Sequence, residues 1–210
     1  MNSYPLLVVT AVNAEAEAVR ADLDPGEVVV EAVGVGPAAA AAGTARLLAG
    51  RAFRAVVSAG IAGGFPGRAA VGSLVIASRS IAADLGAESP DGFLPIEELG
   101  FGTSVLDADP HLVKALQTAL PAAITGDVLT LATVTGTAAT ADRLAARFPL
   151  AAAEAMEGYG VASAAAGAGV PFAELRAISN PIGPRDRAAW RLGDAFAALR
   201  ATAAALPTLP

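Results

Sequence analysis

The feature that most constrains the fold is a repeated alternation between short apolar runs and longer helical segments. The runs are rich in β-branched residues and are bounded by glycine or polar residues; they cover residues 6–11, 28–33, 53–58, 71–78, 128–134 and 172–178. Runs of about six apolar residues predict strands buried on both faces, and alternation with helices predicts parallel pairing. The sequence therefore predicts an α/β fold with a central mixed, largely parallel sheet flanked by helices.

Helix signals fill the intervals between these runs. Asp109 followed by Pro110 is a typical helix start, with the aspartate as N-cap and the proline in the first turn. Asn13 is expected to cap the first helix in the same way. The predicted helices cover roughly residues 13–23, 37–49, 110–120, a segment ending at 148, 158–168 and 185–206. Residues 80–102 are predicted to form a long loop, with a short strand within it as an alternative, and a long loop in a compact domain is usually functional or mobile.

The composition predicts a single globular domain over residues 1–210. Hydrophobic residues make up 54% and charged residues 16%, so disorder is not expected. The formal net charge is -6 without a Lys/Arg cluster, which argues against nucleic acid as a partner. Residues 1–5 carry no basic region, and no apolar stretch is long enough for a membrane span. We therefore expect a cytoplasmic protein without membrane contact.

The residue types that are rare or missing also limit the chemistry. The sequence has no cysteine, which excludes disulfides, thiolate nucleophiles and cysteine-ligated metals. Its one histidine, His111, follows the helix start at residues 109–110 and is expected at the surface. A histidine base, a catalytic triad and a transition-metal site are therefore not expected, and no cofactor is predicted.

Unusual sequence follows four of the predicted strands, at residues 13–17, 60–64, 155–157 and 179–180. Ligands of open α/β sheets bind outside the carboxyl ends of the strands, so these segments are the candidate site. Position alone leaves simpler interpretations open. Glu15 fits an exposed acid on a first helical turn, Glu157 an acid that favours a helix dipole, and Asn180 a turn residue. The glycine segment 60–64 matches neither a dinucleotide-binding nor a Walker pattern.

Taken together, three of these pieces resemble the nucleoside phosphorylase superfamily. They are Ala-Gly-Ile-Ala-Gly-Gly at 59–64, Ala-Met-Glu at 155–157 and Arg-Ala-Ile-Ser-Asn at 176–180. The resemblance covers nearly the whole chain and is closest to the 5'-methylthioadenosine/S-adenosylhomocysteine nucleosidases and, through residues 178–187, to the futalosine hydrolase group. It implies a nucleoside phosphorylase-like fold, a homo-oligomer, and hydrolysis of the bond between a purine and its ribose. For the futalosine hydrolase group it implies release of hypoxanthine in menaquinone synthesis.

The resemblance also implies a role for each matching position. It assigns Glu15 to orienting and deprotonating the attacking water, and Arg176 to the vicinity of that water. It places Met156 and Glu157 at the ribose, and Val134 and Thr135 beside the base. Ala62 and Gly63 belong to the glycine segment 60–64, which would let the backbone approach the ribose closely.

Two departures from the adenine-specific nucleosidases refine the expectation. Those enzymes have an aspartate where this chain has Asn180, and an amide cannot supply a proton to the leaving base. Asn180 suits a 6-oxo base such as hypoxanthine, and Asp186 is a candidate substitute acid. The glycine segment also carries no charge, which favours water over phosphate as the nucleophile, although Arg68 nearby keeps phosphorolysis open.

Several functions therefore stay open at this stage. The first is a futalosine hydrolase, whose substrate carries a benzoate-type arm that Arg185, Arg187 or the loop 80–102 is expected to bind. The second is another purine nucleosidase, or a phosphorylase, acting on inosine or a thio-nucleoside. The third is a nucleoside-binding domain without catalysis, which the presence of both Glu15 and Glu157 disfavours.

Overall fold

The computed structural model describes residues 4–21 and 23–210, within which the chain forms ten strands and six α-helices. Met1–Ser3, part of the segment predicted to lack a leader, and Asp22, part of the predicted first helix, lie outside the described residues. The strands are β1 (Leu6–Thr10), β2 (Val28–Ala32), β3 (Ala55–Gly64), β4 (Leu74–Ala82), β5 (Gly86–Ser89), β6 (Gly92–Pro95), β7 (Val105–Asp107), β8 (Ile124–Thr130), β9 (Ala151–Ala155) and β10 (Phe172–Pro181). The helices are α1 (Asn13–Arg20), α2 (Pro37–Gly50), α3 (Pro110–Ala119), α4 (Ala138–Arg147), α5 (Gly158–Ala168) and α6 (Leu192–Ala201).

The main sheet is mixed and mostly parallel, as predicted. Its strands run in the order β10-β4-β8-β9-β3-β1-β2, and β7 pairs with β4. The pairs β1–β2, β1–β3, β3–β10, β4–β8 and β8–β9 are parallel, whereas β3–β9, β4–β10 and β4–β7 are antiparallel. Because β10 pairs with β3 as well as with β4, five strands close into a ring. The sequence did not predict this closure.

The alternation of side chains along β1 explains why helices cover both faces of the sheet. Leu6 and Val8 belong to one buried apolar cluster, and Leu7 and Val9 belong to another. Successive side chains of a strand point to opposite faces, so an apolar run of this kind needs a cover on each side. Helices α1, α3 and α6 contribute to the first cluster, and α2 and α5 contribute to the second.

Three helix starts can be compared with the predicted caps and helix limits. The Asp109 carboxylate accepts hydrogen bonds from the backbone N–H groups of His111 (2.8 Å) and Leu112 (3.1 Å), which confirms the N-cap of α3. The prediction for Asn13 is wrong by one position, because Val12 is the N-cap and Asn13 is the first helical residue. The last helix begins at Leu192 rather than near Arg185, because a short 3₁₀ turn and extended residues precede it.

The structure also moves several strand limits in the region of the candidate site. The glycine segment 60–64 is the second half of β3 instead of a loop. Strand β8 ends at Thr130, so Val134 and Thr135 lie in the connection to α4. The predicted loop 80–102 contains the end of β4 and the β5–β6 hairpin.

The longest helix, α2, has 14 residues. Within residues 4–21 and 23–210, no helix combines the length and the apolar composition that crossing a membrane requires.

Candidate active site

A cavity of about 260 Å³ opens where β1, β3, β9 and β10 end. Eight of the nine residues that the sequence assigned to the site line it: Glu15, Ala62, Gly63, Val134, Thr135, Met156, Glu157 and Asn180. Arg176, the ninth, is buried behind the wall of the cavity. Segments that are far apart in the sequence therefore meet at one place, because the strands that carry them are neighbours in the sheet.

Glu15 is fixed by backbone donors from the residues after β1 and from β3. Its Oε2 accepts hydrogen bonds from the N–H groups of Ala11 (3.0 Å) and Val12 (3.3 Å), and its Oε1 accepts one from Ile61 (2.9 Å). The side chain is buried, contrary to the exposed first-turn acid that position alone favours. Burial raises the pKa of Glu15, and the Ile61 N–H and the charge of Arg176 oppose this rise. Glu15 is thus a positioned carboxylate with a raised affinity for a proton.

Arg176 holds the carboxylates of the site from behind. Its Nε donates to Glu174 (2.8 Å), its Nη2 donates to the Ser58 hydroxyl (3.0 Å), and its Nη1 lies 3.4 Å from Glu157. The side chain is 1% exposed. Burial by itself would lower the pKa of Arg176, but the charges of Glu174 and Glu157 raise it above its ordinary value. The guanidinium therefore stays charged and fixes the positions of both glutamates.

Glu157 joins this cluster to the cavity. Its Oε1 accepts a hydrogen bond from the Gly36 N–H (3.2 Å), and its Oε2 accepts one from the Met156 N–H (3.3 Å). Glu157 also starts α5, but its side chain makes no capping hydrogen bond there. The carboxylate consequently faces the cavity instead of the helix end, which favours the ligand-binding interpretation over the capping one.

The cluster is rich in negative charge. Glu15, Glu157 and Glu174 surround the single guanidinium of Arg176. Burial raises the pKa of Glu174, which also accepts a hydrogen bond from the Ser80 hydroxyl. Fixed carboxylates beside a cavity stabilise positive charge that develops there during a reaction. This end of the cavity is therefore suited to a cationic transition state.

The surroundings of Gly60 explain why this position of the segment 59–64 has no side chain. A Cβ atom at this position would stand 2.7 Å from Arg176 Nη1 and 2.8 Å from Glu15 Oε1, closer than real Cβ contacts allow. The resemblance attributes the glycines of segment 60–64 to close approach of the backbone to a ribose. The structure shows that Gly60 makes room for the buried contacts of Glu15 and Arg176.

The other end of the cavity is formed by the loop after β8 and the end of β10. The Asn180 Oδ1 accepts a hydrogen bond from the Ser179 hydroxyl (2.8 Å), and its Nδ2 donates to the Pro181 carbonyl (2.9 Å). The Thr135 N–H donates to Glu154 Oε1 (2.7 Å), and the Thr135 hydroxyl donates to Oε2 of the same carboxylate. This end therefore offers an amide and a carboxylate.

The residues proposed from the sequence for secondary roles differ in whether they line the cavity. Arg185 lines the cavity, and its guanidinium lies 5.7 Å from the centre of the Trp190 ring, which also lines it. Asp186 and Arg187 are exposed outside the cavity, and Asp186 caps the 3₁₀ turn through the Ala188 N–H. The prediction that His111 is at the surface is confirmed.

Arg68, the basic residue closest in sequence to the glycine segment, is occupied elsewhere. Its guanidinium donates to the backbone carbonyls of Phe148 (2.9 Å), Ala151 (2.9 Å) and Ala145 (3.1 Å). It does not line the cavity. Arg68 therefore stabilises the connection between α4 and β9 and is not available to bind a phosphate in the cavity.

Three residues of the site, Glu154, Glu174 and Trp190, were not predicted from the sequence. Glu154 and Glu174 are charged residues inside the buried strands β9 and β10. A charge at such a position is costly unless it is paired, and this was the signal that was available. Trp190, the one tryptophan of the chain, gave no comparable signal.

Comparisons with known proteins agree with this geometry. A family model described as the phosphorylase superfamily matches residues 5–207. Futalosine hydrolase from Streptomyces coelicolor is 55% identical over 92% of this chain and 91% of its own length. The futalosine hydrolase of Acidothermus cellulolyticus is 48% identical over 95% and 91%.

Among solved structures, the 5'-methylthioadenosine/S-adenosylhomocysteine nucleosidase of Colwellia psychrerythraea in complex with adenine superimposes with a TM-score of 0.81 and 25% identity, covering 99% of this chain and 95% of that one. The chain belongs to the phosphorylase superfamily.

Proposed function

We propose that this chain is an N-glycosidase that hydrolyses futalosine to release hypoxanthine, a step in menaquinone synthesis. The observation that carries the proposal is the pair of buried carboxylates, Glu15 and Glu157, on one cavity with Arg176 behind them. The 55% identity to a futalosine hydrolase over most of both chains supports the choice of substrate.

The reaction creates a positive charge and a negative charge, and each is stabilised at a different end of the cavity. When the C1'–N9 bond breaks, its electron pair leaves with the base and positive charge develops on the sugar. Glu157 binds the ribose hydroxyls and stabilises that charge, with Met156 beside the ring. Asn180 donates a hydrogen bond to the base as its negative charge grows. The two charges are thereby stabilised by different, fixed groups.

Glu15 acts as the general base in this proposal. A water attacks C1', one of its protons passes to Glu15, and its oxygen becomes the new sugar hydroxyl. The released base takes up one proton from solvent, and Glu15 returns its proton to solvent, so that one water is consumed. The three backbone N–H groups on Glu15 orient its carboxylate, and the raised pKa makes it a better proton acceptor than an exposed glutamate. Arg176 is a positioning residue, because it reaches the reaction only through the carboxylates.

Water is the nucleophile that the surroundings favour. Phosphate needs several donors and positive charge near the reacting carbon. The segment 58–65 carries no charge, and Arg68 donates to three backbone carbonyls outside the cavity.

Arg185 and Trp190 are the proposed partners of the benzoate-type arm. Both line the cavity, and an arginine matches a carboxylate with two parallel hydrogen bonds. Two exposed apolar side chains on the same cavity, Val12 and Val35, suit the aromatic part of the arm.

The test is release of free base in phosphate-free buffer, with futalosine, inosine, methylthioadenosine and adenosylhomocysteine offered in parallel. We expect hypoxanthine from futalosine and little release from the others. Glu15→Gln should lose about 10²–10⁴-fold in kcat. Glu17→Gln, an exposed glutamate on the same helix, is the matched control and should keep normal turnover. Adenine release from the thio-nucleosides, or activity only with added phosphate, would contradict the proposal.

We also propose that the enzyme is a homo-oligomer, as the resemblance implied. Phe101 is 65% exposed and Phe93 is 41% exposed, both in the region of the β5–β6 hairpin, and a second copy is the partner that would cover them. Light scattering at several protein concentrations tests this. A cytoplasmic location and the absence of a nucleic-acid partner stay predictions from the composition.

A further inference from the structure

Glu154 is the one carboxylate on the cavity that the proposed mechanism does not use. It lies on β9, is 5% exposed, and is neither part of the Arg176 cluster nor paired with another cation in the ion pairs of the described residues. A buried carboxylate without a cation is expensive to maintain, so a role beyond packing is expected.

The register of the sheet places Glu154 opposite Asn180. Gly63 on β3 pairs with Glu154 on one side and with Asn180 on the other. Side chains of paired residues project from the same face of a sheet, so Glu154 and Asn180 flank Gly63 on the face that lines the cavity. The Ile182 side chain covers Gly63, with its Cγ2 atom 2.7 Å from the position of a Cβ there, and the Asn180 Nδ2 atom is 3.6 Å from the same position.

Hydrogen bonds fix what each of the two side chains offers. The Asn180 oxygen accepts a hydrogen bond from the Ser179 hydroxyl, and one N–H of its amide donates to the Pro181 carbonyl. The second N–H of the amide is therefore available to donate. The two oxygens of Glu154 each accept one bond from Thr135 and each keep a second acceptor position. Burial raises the pKa of Glu154, and the hydrogen bonds from Thr135 oppose this rise only in part. The cavity therefore receives a donor and an acceptor from the two strands that flank Gly63.

This pattern matches one class of purine. A 6-oxopurine has an acceptor at O6 next to a donor at N1–H, whereas adenine has a donor at N6 next to an acceptor at N1. We propose that Glu154 determines base specificity: its carboxylate accepts the N1–H of a 6-oxopurine while Asn180 donates to the 6-oxo group. The inference rests on the proposed function for the identity of the full substrate. For adenine, the unprotonated N1 would face a carboxylate and both partners would lose a hydrogen bond, which is how polar sites reject analogues.

Glu154→Gln separates this role from simple anchoring of the loop. A glutamine keeps an acceptor for the Thr135 N–H, and its amide can donate to the Thr135 hydroxyl, so the loop retains both contacts. The charge of the acceptor for N1–H is lost, because only a neutral amide oxygen, already bound by the Thr135 N–H, remains to accept it. If Glu154 only anchors the loop, this variant should behave like the wild type.

The first readout is binding of free hypoxanthine and free adenine, measured by calorimetry. We expect the wild type to prefer hypoxanthine, and Glu154→Gln to weaken hypoxanthine binding roughly tenfold, since a bond to a charged acceptor is replaced by one to a neutral amide oxygen, without weakening adenine binding. Glu31→Gln, an exposed glutamate on β2, should change neither. If the glutamine variant does not fold, Glu154→Asp, which withdraws the carboxylate by one methylene, should show the same loss of preference.

The second readout is kcat/KM for futalosine and for the nucleoside that carries the same arm and adenine as its base. The ratio between the two should fall in Glu154→Gln by the same factor as the ratio of base affinities. A wild type without preference for hypoxanthine, or equal losses for both bases, would overturn the assignment. A wild type that binds hypoxanthine but does not cleave futalosine would contradict the proposed function while leaving the role of Glu154 intact.

Discussion

At the scale of single residues, the site is built from side chains whose surroundings change their ordinary properties. Glu15 is an acid on the first turn of a helix, a position that normally faces solvent. Here three backbone N–H groups, two after β1 and one within β3, donate hydrogen bonds to it, and it is buried. The same burial that costs free energy raises its pKa and so improves it as a proton acceptor.

This pKa shift predicts the pH dependence of the reaction. Glu15 must be ionised to accept a proton, so activity falls as the pH drops through its raised pKa. We expect kcat/KM for futalosine to decline on the acid side with a midpoint above 4.5, the ordinary value for a glutamate. The residual activity of Glu15→Gln should lack this decline. A decline that persists in that variant would assign the titration to another group, such as Glu154 or Glu174.

Gly60 provides a second prediction at this scale. In Gly60→Ala the added methyl group would meet Arg176 and Glu15 at 2.7 and 2.8 Å, so both side chains must move. Misplacement of catalytic groups by about 1 Å can cost on the order of 10²-fold in rate, and we expect a loss of kcat/KM of that size. Gly167→Ala on α5, where a Cβ meets nothing within 4 Å, is the matched control and should keep full activity. Equal activities of the two variants would contradict this account of Gly60.

At the scale of elements, β10 contributes more to the site than any other strand. It carries Glu174 and Arg176 within the buried cluster and Asn180 at its end, beside the cavity. A register shift between Ile178 and Asn180 where β10 meets β3 marks the point at which the strand leaves regular pairing. Irregularities of this kind re-aim side chains next to active sites. The loop that follows brings Arg185 and Trp190 to the same cavity.

This loop makes a prediction about substrate recognition. Arg185→Ala should raise KM for futalosine roughly tenfold, because an exposed arginine–carboxylate pair contributes about 1–2 kcal/mol at most. The affinity for free hypoxanthine, which has no carboxylate arm, should stay unchanged. Arg187→Ala, two residues along and outside the cavity, is the matched control. An unchanged KM for futalosine in Arg185→Ala would remove this residue from the binding site.

At the scale of the whole molecule, closure of the sheet between β3 and β10 brings the parts of the site together. Five strands form the ring, and the residues that line the cavity come from β3, β9 and β10 and from the connections that follow β1, β2, β8, β9 and β10. Closure also buries Leu175 completely, in the middle of β10 with pairing on both sides.

Leu175→Ala should therefore lower the free energy of unfolding by about 2–5 kcal/mol, since it removes buried methyl groups from a closed core. Denaturation by urea measures this, and the remaining folded protein should still release base. Leu150→Ala, at a side chain that is 65% exposed, is the control and should change stability by less than about 0.5 kcal/mol. A cost at position 175 no larger than that at position 150 would argue against this role of β10.

The sequence by itself determined the alternating α/β architecture, the mixed sheet and the main site residues. Apolar runs report burial on both faces locally, and the resemblance rested on short segments such as residues 59–64 and 155–157. Glu15, Glu157 and Asn180 were predicted for this reason. Their local patterns also favoured exposed or capping roles, and for Glu15 and Glu157 the tertiary structure decided otherwise.

Only the tertiary structure decided the partners. Ser80 and Glu174 are 94 residues apart in the chain, and Arg176 and Ser58 are 118 apart, yet each pair forms a hydrogen bond. The register that sets Glu154 and Asn180 on either side of Gly63 likewise depends on strand pairings that close late along the chain. Such contacts arise from packing of the whole sheet, because no local preference of a residue specifies which distant strand will lie beside it.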